Sequence, residues 1–329
     1  MNIHDVAKKS GLSVVTVSRV LNNSPSVREG NRRKVLQAME ELNYQPNSAA
    51  RSLVRGKTGV IGMSITNFND SFYDRVIRVV NRKLAEHGYF LALSIAENDD
   101  DGVNFLFQKD RVDGIILLSP LEEKEYVEEL KRKNIPVVLL DNQFEHEDVP
   151  SVLVDNYQGG YEAAGHLVSL GHTRIAYIGG PPEFLSVTER KRGYVQALHE
   201  AGLTPFAAEY CGFTVSSGYE VAQRWIREDK LPTAIFCGDD FIALGVVQAL
   251  REEGIRVPQD ISVVGFDDQQ IVGEFYPRLT TVRQPEAQMG NIGVDLLLNL
   301  INGGVMPPAV TKLAPQLLIR ESTAYARLT

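Results

Sequence analysis

The chain has little sulfur: 2 cysteines in 329 residues, alongside a single tryptophan. Cys211 and Cys237 form no metal-ligand spacing and are too few for a disulfide framework, so both read as small buried residues. No segment approaches the ~18 consecutive apolar residues of a membrane span. Met1 to Ser10 also lacks the apolar core of an export leader. A cytoplasmic protein with no membrane partner is therefore expected. Catalytic signatures are missing as well: no G-x-G-x-x-G follows a strand, there is no P-loop and no G-x-S-x-G elbow, and the 6 histidines are scattered without metal or triad spacing. The Gly-rich stretch Ile178-Gly179-Gly180-Pro181-Pro182 carries a proline pair, which presents backbone N–H groups poorly to a phosphate. No catalytic residue, metal or cofactor is expected, and the enzyme reading gives way to a binding protein.

What the chain does have is an uneven charge. Its net charge is −8, yet the first 58 residues hold 10 Lys and Arg against 4 Asp and Glu, and the remainder holds 24 against 38. A head of +6 on a body of −14 implies that nucleic acid meets one end only. Within that head, Asn2 is placed to cap a helix whose buried stripe is Ile3, Val6 and Ala7, and Gly11 breaks it. Ser13 is placed to cap a second helix with Val17, Val20 and Leu21 buried, which leaves Val15, Ser18, Arg19 and Asn22 on the opposite face. Two short helices joined by a Gly-containing turn make a helix-turn-helix. A third helix, roughly 31–42, is expected to bring Val35, Leu36, Met39 and Leu42 onto the pair, with Arg32, Arg33 and Lys34 beside phosphate.

Beyond the head, short apolar runs alternate with helical stretches. Strands are expected at 60–65, 90–95, 114–118, 137–140, 174–178, 233–236 and 261–266, and helices include 74–86 and 243–253. Alternating strand and helix implies parallel sheets wrapped by helices. There are more strands than one small open sheet needs, so two doubly wound lobes with a cleft follow, and ligands of such sheets sit beyond the carboxyl ends of the strands.

Several motifs carry a resemblance. They are Thr16-Val17-Ser18-Arg19-Val20-Leu21-Asn22 and Tyr44-Gln45-Pro46-Asn47 in the head, Val112-Asp113-Gly114-Ile115-Ile116, Leu170-Gly171-His172-Thr173-Arg174, Pro232-Thr233-Ala234-Ile235-Phe236 and Asp260-Ile261-Ser262-Val263-Val264-Gly265-Phe266-Asp267-Asp268. Over nearly its full length the chain resembles the LacI family of bacterial transcription regulators. The resemblance implies an all-α helix-turn-helix head (1–45), a hinge helix and linker (46–58) and an α/β core (59–329) of two doubly wound parallel-sheet lobes of periplasmic-binding-protein type. One lobe would span about 59–154 and 285–312, the other about 155–284 and 313–329.

The same resemblance assigns sites. The second helix would enter the major groove with Val14, Val15, Thr16, Ser18, Arg19 and Asn22; Arg19 suits a guanine O6 and N7, and the valines suit thymine methyl groups. Val14, three residues before Val17, also fits the core stripe. Asn47 would cap a hinge helix too short to stand alone in water, with Ala49 and Ala50 allowing close approach and Leu53 as the minor-groove wedge. An effector between the lobes, a small sugar or sugar derivative, would meet Phe72, Tyr73, Asp141, Arg190, Phe213, Asp239 and Asp267. Asp240 and Asp268 read as helix caps, and Phe72 and Tyr73 also fit an apolar core. The partners implied are a double-stranded operator and a second copy of the chain, in a homodimer that represses transcription. An alternative partner is a phosphorylated carrier protein acting as corepressor, as in global carbon regulators. Inducer and corepressor effectors both fit.

Three places depart from the family pattern. The stretch 97–111 is short, so its helix is expected to be curtailed. Arg28-Glu29-Gly30-Asn31 stands where a capping Ser and Thr are usual, leaving Asn31 as the expected cap. Val14 and Val15 are both apolar where bases are read.

Overall fold

The head folds because each short helix is closed at its ends. In the computed structural model, which describes residues 1–21, 24–44, 57–65, 71–95, 106–119, 123–144, 148–274, 276–305 and 310–327, the chain divides into two compact units, Met1–Gly59 and Val60–Thr329. Helix α1 (Ile3–Ser10) starts with a reciprocal cap: Asn2 Oδ1 accepts from the His4 and Asp5 N–H groups, and the Asn2 N–H donates to Asp5 Oδ2 at 2.8 Å. It stops at Gly11, whose φ of 70° is open to glycine without steric cost and lets its N–H reach the Ala7 carbonyl. Helix α2 (Val14–Leu21) follows at once, its first turn held by Ser13 Oγ accepting from the Thr16 N–H at 3.2 Å.

Helix α3 (Glu29–Glu41) corrects two expectations. It begins before Asn31, at the Arg28 position, with no side-chain cap; Glu29 in the first turn offsets the helix dipole and lies 3.9 and 3.6 Å from Arg32 and Arg33. Its buried stripe is Val35 and Ala38, flanked by Met39 and Leu42, while Leu36 is exposed. A helix places i, i+3, i+4 and i+7 on one face; 35, 38, 39 and 42 satisfy that spacing, and 36 falls a step around the barrel. These side chains meet Val6, Ala7, Val17 and Val20 in one small core, and Lys9 pairs with Glu41 at 2.8 Å across α1 and α3.

The second unit holds two six-stranded sheets. The first runs β11-β5-β4-β3-β1-β2 with every pairing parallel: β1 (Val60–Ile65), β2 (Phe90–Ile95), β3 (Gly114–Leu118), β4 (Val137–Leu140), β5 (Ser151–Val154) and β11 (Val310–Leu313). The second runs β12-β10-β9-β8-β6-β7, comprising β6 (Ile175–Gly179), β7 (Ala207–Tyr210), β8 (Ala234–Cys237), β9 (Ser262–Asp267), β10 (Thr280–Arg283) and β12 (Gln316–Leu318), parallel except where β12 meets β10. Central strands β1, β3, β4, β6, β8 and β9 are buried nearly throughout, as strands covered on both faces must be. Sheet membership makes the chain cross between lobes three times, after Val154, Arg283 and Leu313.

Helices α4 (Ser71–Glu86), α5 (Glu123–Arg132) and α10 (Glu286–Ile301) accompany the first sheet; α6 (Asn156–Ser169), α7 (Leu185–Glu200), α8 (Val215–Arg227) and α9 (Asp240–Glu252) accompany the second. The expected strands at 174, 233 and 261 each start one residue later, and the helices expected at 74 and 243 start three residues earlier. Of the short segment at 97–111, residues 97–105 lie outside the described residues; Leu106 and Phe107 are buried against Val112 and Ile115. No helix among the described residues is long and apolar enough to cross a membrane.

Candidate functional site

Two surfaces carry the residues singled out in the sequence. On α2, Val15 is 61% exposed and Arg19 is exposed, while Thr16 and Ser18 are half-buried on the same helix. Val14 is partly buried against the head core, so the packing role open to it in the sequence is the one its position supports. Asn22 lies outside the described residues, as do Asn47, Ala49, Ala50 and Leu53 of the hinge.

In the core unit the construction begins with the close approach of α6 and α7. A Cβ on Gly160 would lie 2.1 Å from the Arg190 carbonyl oxygen, and one on Gly193 would lie 2.0 Å from that of Tyr157; the glycines let the two backbones touch. That contact sets Arg190 over the end of β9, its guanidinium 3.7 Å from the centre of the Phe266 ring. Arg190 is 5% exposed. Its Nε donates to Asn156 Oδ1 at 2.8 Å, one terminal nitrogen donates to the Gly238 carbonyl at 2.6 Å, and the other lies 3.5 Å from Asp267 Oδ1. The Gln284 amide also donates to Asp267.

Asp141 faces this group from the first lobe. It follows β4 with φ 51°, in the left-handed region that Asp tolerates better than most residues, and accepts from Ser119 Oγ at 2.8 Å. Loss of hydration raises its pKa above the ordinary carboxyl value, against the pull of the Ser119 hydrogen bond and the Arg190 charge, and the Asp267 charge adds to the rise. Asp141, Arg190 and Asp267 thus form one electrostatic group spanning the two lobes at the carboxyl ends of their strands.

The other expected effector residues have more local duties. Asp239 is the N-cap of α9, accepting from Phe241 and Ile242 at 2.6 and 3.2 Å. Asp240 is therefore not the cap: it is fully buried, accepts from Thr281 Oγ1 at 2.6 Å and the Gln269 N–H at 2.7 Å, and burial drives its pKa well above the ordinary value. Asp268 caps no helix either. It binds Arg283 at 2.8 Å and Arg320 at 2.5 Å, and although burial pushes its carboxyl up, those two hydrogen bonds hold it below the usual range. Phe213 packs edge-on against Phe184 at 5.6 Å, over Gly180, where a Cβ would strike its ring. Phe72 and Tyr73 are buried in the apolar cluster of the first sheet, in keeping with a core role.

Contacts that the sequence did not flag join the lobes. Arg75 on α4 donates Nε to Glu286 Oε1 at 2.8 Å and its terminal nitrogens to the carbonyls of Asp267 at 2.8 Å and Asp268 at 3.1 Å. Asp267 and Asp268 both have positive φ, 103° and 49°. Glu123, fully buried at the start of α5, accepts from the Gln143 and Phe144 N–H groups, and Gln143 Oε1 in turn accepts from the Leu185 N–H of the other lobe at 2.8 Å. Partners up to 211 residues apart leave no local pattern from which Arg75 or Gln143 could be read.

A helix-turn-helix unit on a pair of doubly wound lobes is an arrangement found in known proteins. The family model described as bacterial regulatory proteins, lacI family, matches residues 2–47, and a periplasmic binding protein-like domain matches residues 164–323. The catabolite control protein A of Priestia megaterium is 34% identical over 331 residues, covering 98% of this chain and 99% of the relative. The chain belongs to the lacI family. The transcriptional repressor PurR of Pasteurella multocida is likewise 34% identical, over 97% of this chain and 98% of its own. Among solved structures, a Lac repressor dimer bound to operator and an anti-inducer matches with a TM-score of 0.89 at 30% identity, over 98% of this chain and 99% of that one. A complex of the regulator CelR with cellobiose matches with a TM-score of 0.75, also at 30% identity and over 98% of this chain and 99% of that one. The protein is a DNA-binding transcription regulator of this family, with an effector-binding domain, and not an enzyme.

Proposed function

We propose that the protein is a repressor that binds a pseudo-palindromic operator as a homodimer, and that a small sugar or sugar derivative held between its lobes alters operator affinity through the hinge. A regulator reading genomic DNA works in the cytoplasm. The observation that carries the reading is the Asp141, Arg190 and Asp267 group, which joins both lobes where ligands of such sheets sit. A planar guanidinium flanked by carboxylates suits paired hydroxyls. A ligand that draws these groups together favours one arrangement of the lobes, and its differential affinity for two arrangements is all that coupling requires. On this reading Phe213 and Asp239 belong to the second lobe's side of the effector site, and Phe72 and Tyr73, in the apolar cluster of the first sheet, to the first lobe's side.

On DNA, α2 enters the major groove with Arg19 and Val15 foremost and Val14, Thr16, Ser18 and Asn22 beside them, while Asn47, Ala49, Ala50 and Leu53 serve the minor groove. Two heads reading half-sites one helical turn or a multiple apart give the palindrome. The test has two arms: selection of bound fragments from random duplex DNA, then titration of the selected operator with a panel of sugars. A palindromic consensus whose affinity moves with one sugar family is expected. Absence of any sequence preference overturns the repressor reading, and a response confined to a phosphorylated carrier protein overturns the sugar reading.

A further inference from the structure

Arg32 and Arg33 are neighbours in sequence and opposites in placement. On α3, Arg32 precedes Val35 by one turn and Met39 by two, which puts it on the face that packs into the head core, while Arg33 falls a step around the helix. Exposure follows the geometry: the Arg33 side chain is 79% exposed and that of Arg32 is 24%. Only the first stands in water, where a phosphate would be met.

The inward-facing guanidinium has a backbone partner. Arg32 Nη2 donates to the Ser24 carbonyl at 3.1 Å, where the chain runs from α2 towards α3. The Ser24 N–H in turn donates to the Arg19 carbonyl at 2.9 Å, and Ser24 Oγ lies 2.8 Å from Ser26 Oγ. One residue thus ties the last turn of the reading helix to the first turn of α3. The Val27 N–H also approaches the Ser24 carbonyl, at 3.4 Å, but Val27 belongs to the same connection, so Arg32 is the group that fixes Ser24 to a second element. Arg19, whose side chain is exposed for a base edge, therefore springs from a backbone held through Ser24 by α3.

We propose that Arg32 is a positioning residue for operator reading: acting through Ser24, it fixes the C-terminal turn of α2 and hence the direction of Arg19, and it is not one of the phosphate contacts expected of residues 32–34. This rests on the reading of α2 as the major-groove helix. A bidentate contact to a base edge depends on where the side chain starts, whereas attraction to phosphate is independent of sequence. Loosening the Ser24 tie therefore costs discrimination between sequences and spares general affinity for DNA.

Fluorescence anisotropy with the full-length protein tests this on two probes, the palindromic duplex selected from random DNA and a mixed-sequence duplex of equal length, each titrated over a salt series below the thermal midpoint of every variant. Arg32→Lys keeps the charge, but its shorter stem loses the reach to Ser24. It is expected to weaken the selected duplex about tenfold, the size of one lost charge-assisted hydrogen bond, while binding of the mixed duplex and the slope of log Kd against log salt stay unchanged. Arg33→Gln should behave the other way, weakening both probes together and lowering that slope by about 1. Wild-type affinity of Arg32→Lys for the selected duplex, a loss shared equally by both probes, or a lower thermal midpoint with the ratio of the two affinities intact overturns the positioning role and leaves the operator reading standing. Should Arg32→Lys not fold, the wild-type protein carrying isotope-labelled arginine decides by magnetic resonance: Arg32 guanidinium protons that exchange more slowly than those of Arg33 before DNA is added support the role, and equal exchange overturns it. Failure to select any duplex overturns the operator reading and the positioning role with it.

Discussion

The reading face of α2 and the cleft of the core are built on opposite plans. Val15 and Arg19 stand exposed on a helix whose stability comes from Val17 and Val20 on its other side. Arg190 and Asp267 are nearly fully buried and spend their hydrogen bonds on Asn156, Gly238, Gln284 and each other. The difference follows from the partner each awaits. A duplex supplies its own donors, acceptors and charge, so the protein side can wait in water. A small ligand between two moving lobes cannot supply so much, and charges held there must be paired before it arrives, since a buried unpaired charge costs several kcal/mol.

Perturbations should separate the two plans. The largest effect is expected in the cleft: Arg190→Ala strands the Asp267 carboxylate and should lower the stability of the core by about 3–5 kcal/mol, seen as an earlier urea midpoint with an unchanged slope. Arg19→Ala should do the reverse. It should leave thermal stability unchanged and cost about 1–3 kcal/mol of operator affinity, concentrated at one base position; a loss spread evenly over all sequences would reassign Arg19 to phosphate. A smaller effect is expected at the seam between the lobes, where Arg75→Met removes the contact to the Asp267 and Asp268 carbonyls. Effector and operator affinities should then change together by about 1–2 kcal/mol, whereas an unchanged response would leave Arg75 a packing residue.

The smallest effect is on pH. His172 bridges Thr233, Ser262 and the Ala324 carbonyl at 3.1 Å each, and His166 meets Thr323 at 3.0 Å. Burial holds both imidazoles below the ordinary value of 6.5. The unfolded chain therefore binds more protons in that window, so the stability these histidines bring is complete above about pH 6.5 and drains as pH falls through their folded-state values. The thermal midpoint of the core should drop as pH falls from about 7.5 to about 5.5, and His172→Gln should flatten that slope. The head, with no histidine in its core, should not contribute to it.

The sequence made some of this legible and hid the rest for identifiable reasons. The first two head helices could be read because their caps, breaker and stripes lie within a few residues of one another: Asn2 with Asp5, Gly11, Ser13 with Thr16. Leu36 attracts a core assignment by hydrophobicity alone, whereas the spacing from Val35 selects Ala38. The buried central strands were visible as apolar runs. Strands β5, β7, β10, β11 and β12 were missed, being three or four residues long and mixed with Ser, Thr, Glu, Lys or Gln. In the cleft, the sequence assigns the cap to Asp240 and effector contact to Asp239, and only the backbone decides that Asp239 caps α9 while Asp240 turns inward. Asp268 is bound by arginines 15 and 52 residues away, a distance over which no local pattern speaks. Gln143 and Arg75 act through contacts that exist only once the two sheets face each other, and Glu123 through loop amides 20 and 21 residues further on.

The central claim is that occupancy of the cleft sets how well the head holds its operator. Fluorescence anisotropy of the selected operator, measured with the full-length protein at fixed salt with and without a saturating sugar that calorimetry shows to bind, tests it most directly. The account predicts a change in Kd of about 5- to 150-fold. An identical Kd in the presence of a sugar demonstrably bound between the lobes would contradict it.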